Sequence, residues 1–592
     1  MTRPEIPGVV EMNTVGTNDL DEILRAEHDS INRRRDKLGR PKVKEAHSAD
    51  QDSLPAYDTV GLALSGGGIR SAAFSLGVLQ AFHKFRMLPN IDYISTVSGG
   101  GYIGASLSAT MTATHGEFVF ADQTGYYAKQ HSRLSAVGHL RNHSNDLLAG
   151  NSGVTAAVAI VIRGPVANLL FLSACASLNS GVTVIAYGLH VLPGSFFYTT
   201  VVFSTISWGF VLWAILISFT SRESARLAHV FAASLSVLLI VFFVELQGQL
   251  IGALLDGRPS FFASLAKAIG IGSVVGVPAL ICLALFQRRL GGILKRRERG
   301  ASDVGTVVKA SGTRLLIWLA AAELPLYIWW YILALSISGI VVSFSLSPDV
   351  RVPSWVLWIS DYFPPPAFAW LFLIEGVICL LIFALLKPNA LSLHGPYRDR
   401  LNSAFIFDPN KYSNAGYVPL SEMRVSDISP EYALYHLINA ALNIRGSSYA
   451  NQRGRDADFF CFSPLYVGSV VTGYVPMSEF EKAQERFYLA TAMAISGAAI
   501  SSSMGTRTIR PLTPTLALFN IRLGYWLRNP KYLHASQTLL ERAFAAVSRS
   551  INSFLSEIVG RLYTDTSKEV YVTDGATLRI WACMNCYAAT VT

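Results

Sequence analysis

Two apolar runs near the start of the chain each end in a turn that leads into helical spacing. Residues 60–64 form the first run, which breaks at 65–71 and resumes as a helix-like stretch over 72–82. Residues 91–97 form the second run, and a helical pattern over 102–109 follows its turn. Short apolar runs bounded by glycine predict buried strands. The pattern therefore predicts two consecutive strand–turn–helix units and an α/β fold.

Further along, the apolar pattern changes to long, nearly uninterrupted spans. A bilayer-crossing helix needs about 20 apolar residues, and each span is near or above that length. The sequence thus predicts an all-α transmembrane insert of about six helices within residues 151–386. The predicted spans are 166–189, 199–219, 228–255, 268–286, 315–346 and 367–386.

Charges between the spans predict their orientation. The loop 287–314 is the richest in Lys and Arg, and such loops face the cytoplasm. An even number of spans returns the chain to its starting side. The two globular parts that flank the insert are therefore predicted to share the cytoplasmic compartment and to complete one domain.

The remaining segments are polar or globular in composition. Residues 1–57 predict a polar arm with a helix over 18–40, whose basic cluster Arg33, Arg34 and Arg35 is either solvated or in contact with anionic lipid. The predicted α/β domain comprises residues 58–150 and 387–575, followed by a divergent tail over 576–592.

Composition agrees with a protein that is part globular and part membrane-embedded. Apolar residues make up 51% of the chain and charged residues 15%, and the mean hydropathy is +0.36. The net charge of +9 gathers beside the apolar spans, which argues against nucleic acid as a partner. The six cysteines show neither a disulfide framework nor zinc spacing.

Candidate chemistry lies at the two glycine turns. Ser98 follows the second predicted strand in the pattern Thr96-x-Ser98-x-Gly100, close to the elbow that presents a serine nucleophile at a helix start. The upstream triplet Gly66, Gly67 and Gly68 precedes a helix and exposes backbone N–H groups suited to an oxyanion.

A serine nucleophile also needs a base. Asp574 follows an alternating strand-like run over 569–573, and His394 and His436 leave a Ser-His-Asp triad open. Two other interpretations of the glycine turns remain. The first is a phosphate or dinucleotide loop, which the residue Ser71 in place of the last fingerprint glycine disfavours. The second is a pair of ordinary connections between strands and helices.

Three short segments together resemble the signatures of the patatin-like phospholipases, in the same order. They are residues 66–71, 96–100 and 574–576. Further stretches are similar to a membrane-spanning bacterial branch of that family, namely 392–394, 397–401, 462–464 and 490–499.

The resemblance implies a three-layer α/β/α domain, split in sequence by the transmembrane insert, and a Ser–Asp dyad without histidine. It implies no metal and no cofactor. Ser98 would be the nucleophile, Asp574 its base, and Gly66, Gly67, Gly68, Ile69 and Arg70 the oxyanion region. The implied protein is a hydrolase of phospholipid or lysophospholipid esters in the bacterial inner membrane, with membrane lipid as substrate and partner. The alternative is a non-enzymatic lipid-binding or transport protein with a degenerate domain.

The resemblance ends at Ala576, where the family has a second glycine. A shifted reading of residues 576–592 restores a family-like Leu-Gly and Tyr-Glu-Leu sequence, so we interpret the tail as the product of one lost nucleotide near codon 576. The pair Cys583 and Cys586 would then be an accident of frame. Resequencing the gene across that codon tests this hypothesis.

Overall fold

The protein is described here from a computed structural model. The described parts of the chain are residues 20–46, 56–121, 135–144, 150–190, 201–202, 205–206, 226–255, 328–329, 331–341, 343–344, 367–389, 392–413, 416–445, 447, 456–484, 486–499, 501, 513–518, 520, 522–533, 539–564 and 566–575. The predicted tail over 576–592, with Cys583 and Cys586, lies outside them. So do the fourth predicted span and nearly all of the second.

Helices and strands alternate through much of the described chain. The helices are α1 Leu20–Lys37, α2 Ile69–Lys84, α3 Gly99–Ala113, α4 Ala136–Ser144, α5 Gly150–Gly188, α6 Arg226–Leu255, α7 Ala367–Leu385, α8 His394–Phe405, α9 Met477–Ala483, α10 Leu489–Ser496, α11 Thr513–Leu518 and α12 Leu539–Val559. The strands are β1 Glu45–Ala46, β2 Ala56–Tyr57, β3 Gly61–Leu64, β4 Tyr93–Val97, β5 Phe407–Ser413, β6 Gly416–Pro419, β7 Tyr435–Asn443, β8 Ala457–Phe462, β9 Tyr466–Ser469, β10 Gly473–Pro476, β11 Tyr525–Arg528 and β12 Glu569–Asp574.

The contacts divide the chain into two compact units, 1–169 with 382–592 and 170–381. The first unit contains an eight-stranded mixed sheet in which β3, β4 and β7 run parallel while β8 and β12 run antiparallel to β7. The mixed α/β class predicted from the sequence is confirmed, and the mixed sheet is consistent with a patatin fold. The sheet joins strands from before 100 and after 430, which are distant in sequence.

The central strands of this sheet are buried on both faces. Every residue of β4 and of β7 is buried, as expected for strands covered by helices on each side. Side chains alternate along a strand, so Ile94 packs into the main core with residues of α3 and α10. Tyr93 packs on the opposite face with Tyr435 and with Ile31 of α1.

The predicted polar arm differs from its sequence-based expectation. Arg34 and Arg35 of α1 are buried rather than solvated or presented to lipid. Arg35 binds the buried carboxylate of Asp92 with a shortest N–O distance of 2.7 Å, and Arg34 donates to the Ile91 carbonyl oxygen at 2.7 Å. These contacts give both buried guanidinium groups a partner, without which their burial would be costly. They hold α1 against the start of β4.

The second unit is helical in its described part. Its core comprises Val184, Ile251, Leu333, Ile340, Ala369 and Phe372. Among the described residues, one helical stretch, Gly164–Gly188, with a mean hydropathy of 1.8, is long and apolar enough to cross a bilayer. Two shorter apolar helices are Tyr331–Val341 and Ala369–Leu385. The multi-span insert therefore stays a prediction.

Candidate active site

Ser98 occupies the sharp turn between β4 and α3. Its backbone has φ 52° and ψ −121°, a conformation that costs a non-glycine residue energy and that recurs at functional sites. The residue is only 5% exposed. Its backbone N–H donates to the hydroxyl of Ser496 at 2.9 Å. The turn thus holds a serine in a strained and fixed backbone geometry.

The glycine triplet 66–68 packs directly against this turn. A Cβ atom added to Gly99 would overlap the carbonyl oxygen of Gly68, and one added to Gly100 would overlap that of Leu64. Gly67 and Gly68 have φ values of 150° and 66°, which glycine adopts without strain. The two glycine-rich turns are therefore in direct contact. Both require glycine, because a side chain would overlap the neighbouring backbone or strain its own.

The glycine loop presents free backbone donors. Within the described chain, the N–H groups of Gly67 and Gly68 donate to no protein acceptor. The hydroxyl of Ser71 donates to the Ser65 carbonyl oxygen at 2.6 Å and closes the loop. This bond gives Ser71 a structural role at the position where the dinucleotide fingerprint has glycine.

Two helix N-termini begin at this point. α2 starts at Ile69 and α3 at Gly99, each three residues earlier than the sequence pattern predicted. Both first turns lack acidic residues and side-chain caps, so their positive ends are not neutralised locally. Arg70 is exposed in the first turn of α2. The surroundings favour negative charge developing beside Ser98.

Thr96 stands where the usual elbow has glycine, and its side chain fits because a glycine lies opposite. A Cβ added to Gly104 would lie 2.6 Å from the Thr96 methyl carbon. The Thr96 hydroxyl and His436 Nε2 are 2.9 Å apart, and His436 Nδ1 lies 3.0 Å from the Ser108 hydroxyl. Thr96 is thereby anchored between the sheet and α3.

Asp574 reaches the same point from the other end of the chain. Val97, the last residue of β4, pairs with Asn439 of β7, whereas Asp574, the last residue of β12, pairs with the next residue, Ala440. The carboxyl ends of β4 and β12 therefore meet on one edge of β7, about one strand rise, ~3.3 Å, apart along it.

The direction of the Asp574 side chain follows from strand alternation. Asp574 shares a face with Val570 and Val572, and both valines pack in the main core with α3 and α10. Asp574 itself is 4% exposed. Its carboxylate therefore lies on the helix-covered face of the sheet.

The buried Tyr102 and the half-buried Tyr397 adjoin this carboxylate. The hydroxyls of Tyr102 and Tyr397 are 2.5 Å apart, and Tyr397 donates to the Gly497 carbonyl oxygen at 2.9 Å. Burial raises the pKa of both tyrosines, and the nearby Asp574 charge raises it further. The tyrosines stay neutral and bring Tyr102 of α3 and Tyr397 of α8 together beside Asp574.

The two candidate histidines have structural partners. His436 is fully buried, and both of its ring nitrogens face the Thr96 and Ser108 hydroxyls. Burial lowers its pKa to about 3. The Nδ1 atom of His394 lies 2.7 Å from the Leu523 carbonyl oxygen, and burial lowers the pKa of this ring to about 4. These contacts disfavour a Ser-His-Asp triad that would use either ring.

The sequence reasoning overlooked Ser496 and Tyr397 as parts of this site. Both lie in stretches that resembled the family, but neither carried a spacing signal of its own. As for metal sites, the described part of the chain contains no group of three His, Cys, Asp or Glu residues placed to hold an ion.

The site therefore combines a serine on a strained turn, a glycine loop with free N–H groups and an aspartate at a converging strand end. Residues 62–124 match the family model of the patatin-like phospholipases, so this part of the chain is a patatin-like phospholipase domain. Members of that family are typically serine lipid hydrolases, which gives the chain the potential for lipid acyl hydrolysis. Neither curated proteins nor solved structures gave a match.

Proposed function

We propose that the protein is a membrane-embedded lipid acyl hydrolase that uses Ser98 as nucleophile and Asp574 as base. The observation that carries the proposal is the meeting of β4 and β12 on one edge of β7, with Val97 opposite Asn439 and Asp574 opposite Ala440. Residues more than 470 positions apart in sequence are brought to adjacent places in the sheet. Folding alone does not require a serine and an aspartate at these two strand ends.

The reaction follows from this placement. The Ser98 hydroxyl oxygen attacks the ester carbonyl carbon while Asp574 accepts the hydroxyl proton. The tetrahedral intermediate collapses, the bond to the leaving alcohol breaks, and Asp574 returns the proton to that alcohol oxygen. Water then attacks the acyl-serine with Asp574 again as base, which releases the fatty acid and restores Ser98.

The negative charge of the tetrahedral intermediate needs donors. The N–H groups of Gly67 and Gly68, with that of Ile69 at the start of α2, supply them, and the exposed Arg70 adds positive charge nearby. The Ser98 N–H is already bound to Ser496 and is not part of this set. We assign the oxyanion site to the donors of the glycine loop.

The helical unit supports the membrane part of the proposal. On α7, Trp370, Ile374, Ile378 and Leu381 have exposures of 50–59% and follow helical spacing along one side. Buried polar pairs lie inside the unit, such as the hydroxyls of Ser180 and Ser336 at 3.1 Å. Apolar residues outside and polar pairs inside are typical of helices packed in lipid. We place the α/β unit on the cytoplasmic side of a bacterial inner membrane.

A fluorophosphonate probe, which forms a covalent bond with an activated serine, tests this function in the full chain in lipid nanodiscs. Wild-type protein should be labelled, and Ser98→Ala should abolish labelling. Asp574→Asn should slow labelling by about 10² to 10⁴-fold because it removes the base. Asp36→Asn, which changes an exposed aspartate on α1, is the matched control and should label at the wild-type rate.

Two results would overturn the proposal. Labelling that persists in Ser98→Ala would assign the nucleophile elsewhere. A folded wild-type chain that binds phospholipid vesicles but shows no labelling and no release of fatty acid would favour the non-enzymatic lipid-binding alternative.

A further inference from the structure

Ser496 ends α10 at the point where the two catalytic strands meet. Its side chain is fully buried. The hydroxyl donates to the Asn439 carbonyl oxygen at 2.6 Å and accepts the backbone N–H of Ser98 at 2.9 Å. One hydroxyl group therefore joins the nucleophile turn to the strand that also pairs with Asp574.

The Asn439 carbonyl lies at the junction of the two strands. Val97 pairs with Asn439, and Asp574 pairs with the following residue of β7. A Cβ added to Gly575 would lie 2.8 Å from the same Asn439 oxygen, so this oxygen faces the chain just after Asp574. The hydroxyl of Ser496 thus contacts a backbone group that neighbours both strand ends.

The next residue of this segment contacts the other side of the site. The Gly497 carbonyl accepts the Tyr397 hydroxyl at 2.9 Å, and a Cβ at Gly497 would lie 2.5 Å from the Tyr102 hydroxyl. These are the two tyrosines beside Asp574. The end of α10 is therefore in contact with the turn of the nucleophile and with the surroundings of the base.

We propose that Ser496 is a positioning residue, which fixes the strained turn of Ser98 at the distance and angle from Asp574 that proton transfer requires. This inference rests on the function proposed above. Because the Ser496 side chain is fully buried, gives its only proton to Asn439 and accepts from the Ser98 N–H, it acts through the turn and not on the substrate. It holds a backbone conformation, φ 52°, that would otherwise relax.

The test compares Ser496→Ala with a matched variant, Ser463→Ala. Ser463 is also fully buried, and its hydroxyl donates to the Tyr466 carbonyl at 2.9 Å and accepts the Tyr466 N–H at 3.1 Å, in the connection between β8 and β9. Both substitutions remove a hydroxyl that bridges a backbone acceptor and a backbone donor. Only Ser496 bridges the nucleophile turn.

The measurement is the rate of fluorophosphonate labelling as a function of probe concentration, in full-length protein in nanodiscs, with the melting temperature of each variant recorded. We expect Ser496→Ala to label roughly 10- to 100-fold more slowly at saturating probe with an unchanged half-saturating concentration, since a misplacement of about 1 Å costs that much. Ser496→Thr, which keeps the hydroxyl, should recover most of the rate. Ser463→Ala should label at the wild-type rate even if its melting temperature falls as far as that of Ser496→Ala.

The proposal is overturned if Ser496→Ala labels at the wild-type rate, or if Ser463→Ala slows labelling as much at the same loss of melting temperature. Should Ser496→Ala fail to fold, Ser496→Cys replaces it, and labelling of that folded variant at the wild-type rate would equally overturn the proposal. Failure of the underlying function is distinguishable, because the wild-type chain itself would then show no labelling that depends on Ser98.

Discussion

In the α/β unit the central strands bury every residue and pair their polar groups, whereas the described part of the helical unit exposes large apolar side chains. Thr96 and His436 exemplify the first arrangement with a hydrogen bond of 2.9 Å inside the sheet. Trp370 and Val182 exemplify the second, and each is 59% exposed. The contrast agrees with the proposal that the second unit lies in lipid, and it shows that the two units satisfy their apolar residues in different ways.

Substitution at the nucleophile turn should have the largest effect. Gly99→Ala places a Cβ on the Gly68 carbonyl oxygen, so the turn must separate from the glycine loop. We expect a loss of labelling of about 10²-fold or more, because nucleophile and oxyanion donors would no longer align. Gly77→Ala, in α2, is the control, since no atom lies within 4 Å of its added Cβ, and it should leave labelling unchanged. Equal labelling of Gly99→Ala and wild type would contradict the contact between the two glycine turns.

The α/β unit also buries a carboxyl group whose protonation should make stability depend on pH. Glu27 of α1 is 1% exposed, accepts a hydrogen bond from Tyr93 at 3.2 Å, and has its pKa raised by burial from 4.5 to about 7. The folded protein therefore keeps this proton at pH values where the unfolded chain has lost it. The contribution of this group to the free energy of unfolding is fully present below about pH 4.5 and is lost as the pH rises through about 7.

Glu27→Gln should remove this pH dependence, because the amide does not ionise. We expect the variant to gain stability relative to wild type at pH 8, on the order of 2 to 3 kcal/mol, with a smaller difference at pH 5. Thermal unfolding of the full chain at both pH values measures it. Glu22→Gln, at an exposed position of the same helix, should show no such change. A wild-type melting temperature that is flat between pH 5 and 8 would argue against a protonated Glu27.

Close helix packing in the helical unit gives a third prediction. A Cβ at Gly376 of α7 would lie 2.6 Å from Leu178 Cγ and 3.1 Å from the Ala174 carbonyl oxygen of α5. Gly376→Leu should therefore destabilise this unit by about 1–3 kcal/mol through overpacking. Gly252→Leu, where nothing lies within 4 Å of the added Cβ, is the control.

Thermal unfolding in detergent compares these two glycine variants. Fluorophosphonate labelling of each folded protein should stay at the wild-type level, because Ser98 and Asp574 belong to the other unit. Equal stability of the two variants would contradict the close approach of α5 and α7.

The smallest effect is expected at Phe74, an apolar residue of the α/β unit that is exposed rather than buried. Phe74 of α2 is 76% exposed, one helical turn after the exposed Arg70. An exposed aromatic residue beside a cation suits an anionic lipid surface next to the glycine loop. Phe74→Ala should slow hydrolysis of anionic vesicles by roughly threefold. Full burial of a phenylalanine side chain contributes about 2 kcal/mol, and the substitution would remove only part of that contribution. A soluble short-chain ester should be hydrolysed at the wild-type rate.

Phe85→Ala provides the comparison for this prediction. Phe85 is 71% exposed and follows the other end of α2, about 16 Å along the helix axis from Phe74. It should have less effect on vesicle hydrolysis. If both substitutions slow vesicle hydrolysis equally, the lipid contact is not centred on the glycine loop.

Local pattern was enough to predict the elements that hold Ser98. The apolar run 91–97 contains β4, and glycine after it marks the turn, because short-range sterics decide both. Similar reasoning predicted a strand that delivers Asp574. It failed for Arg34 and Arg35, since a basic run looks solvated until a buried partner such as Asp92 is known.

The sequence by itself determined which residues have the chemistry: a serine in a glycine-rich turn, a triplet of glycines, an aspartate after a strand-like run and a set of apolar spans. Only the tertiary structure decided that β4 and β12 end against neighbouring residues of β7. It also decided that both ring nitrogens of His436 lie within hydrogen-bonding distance of the Thr96 and Ser108 hydroxyls, and that the Ser496 hydroxyl accepts the Ser98 N–H. The physical reason is that strand order and register depend on long-range pairing, which no local periodicity encodes. Apolar spacing and turn chemistry depend on residues only a few positions apart, so they can be read from the sequence.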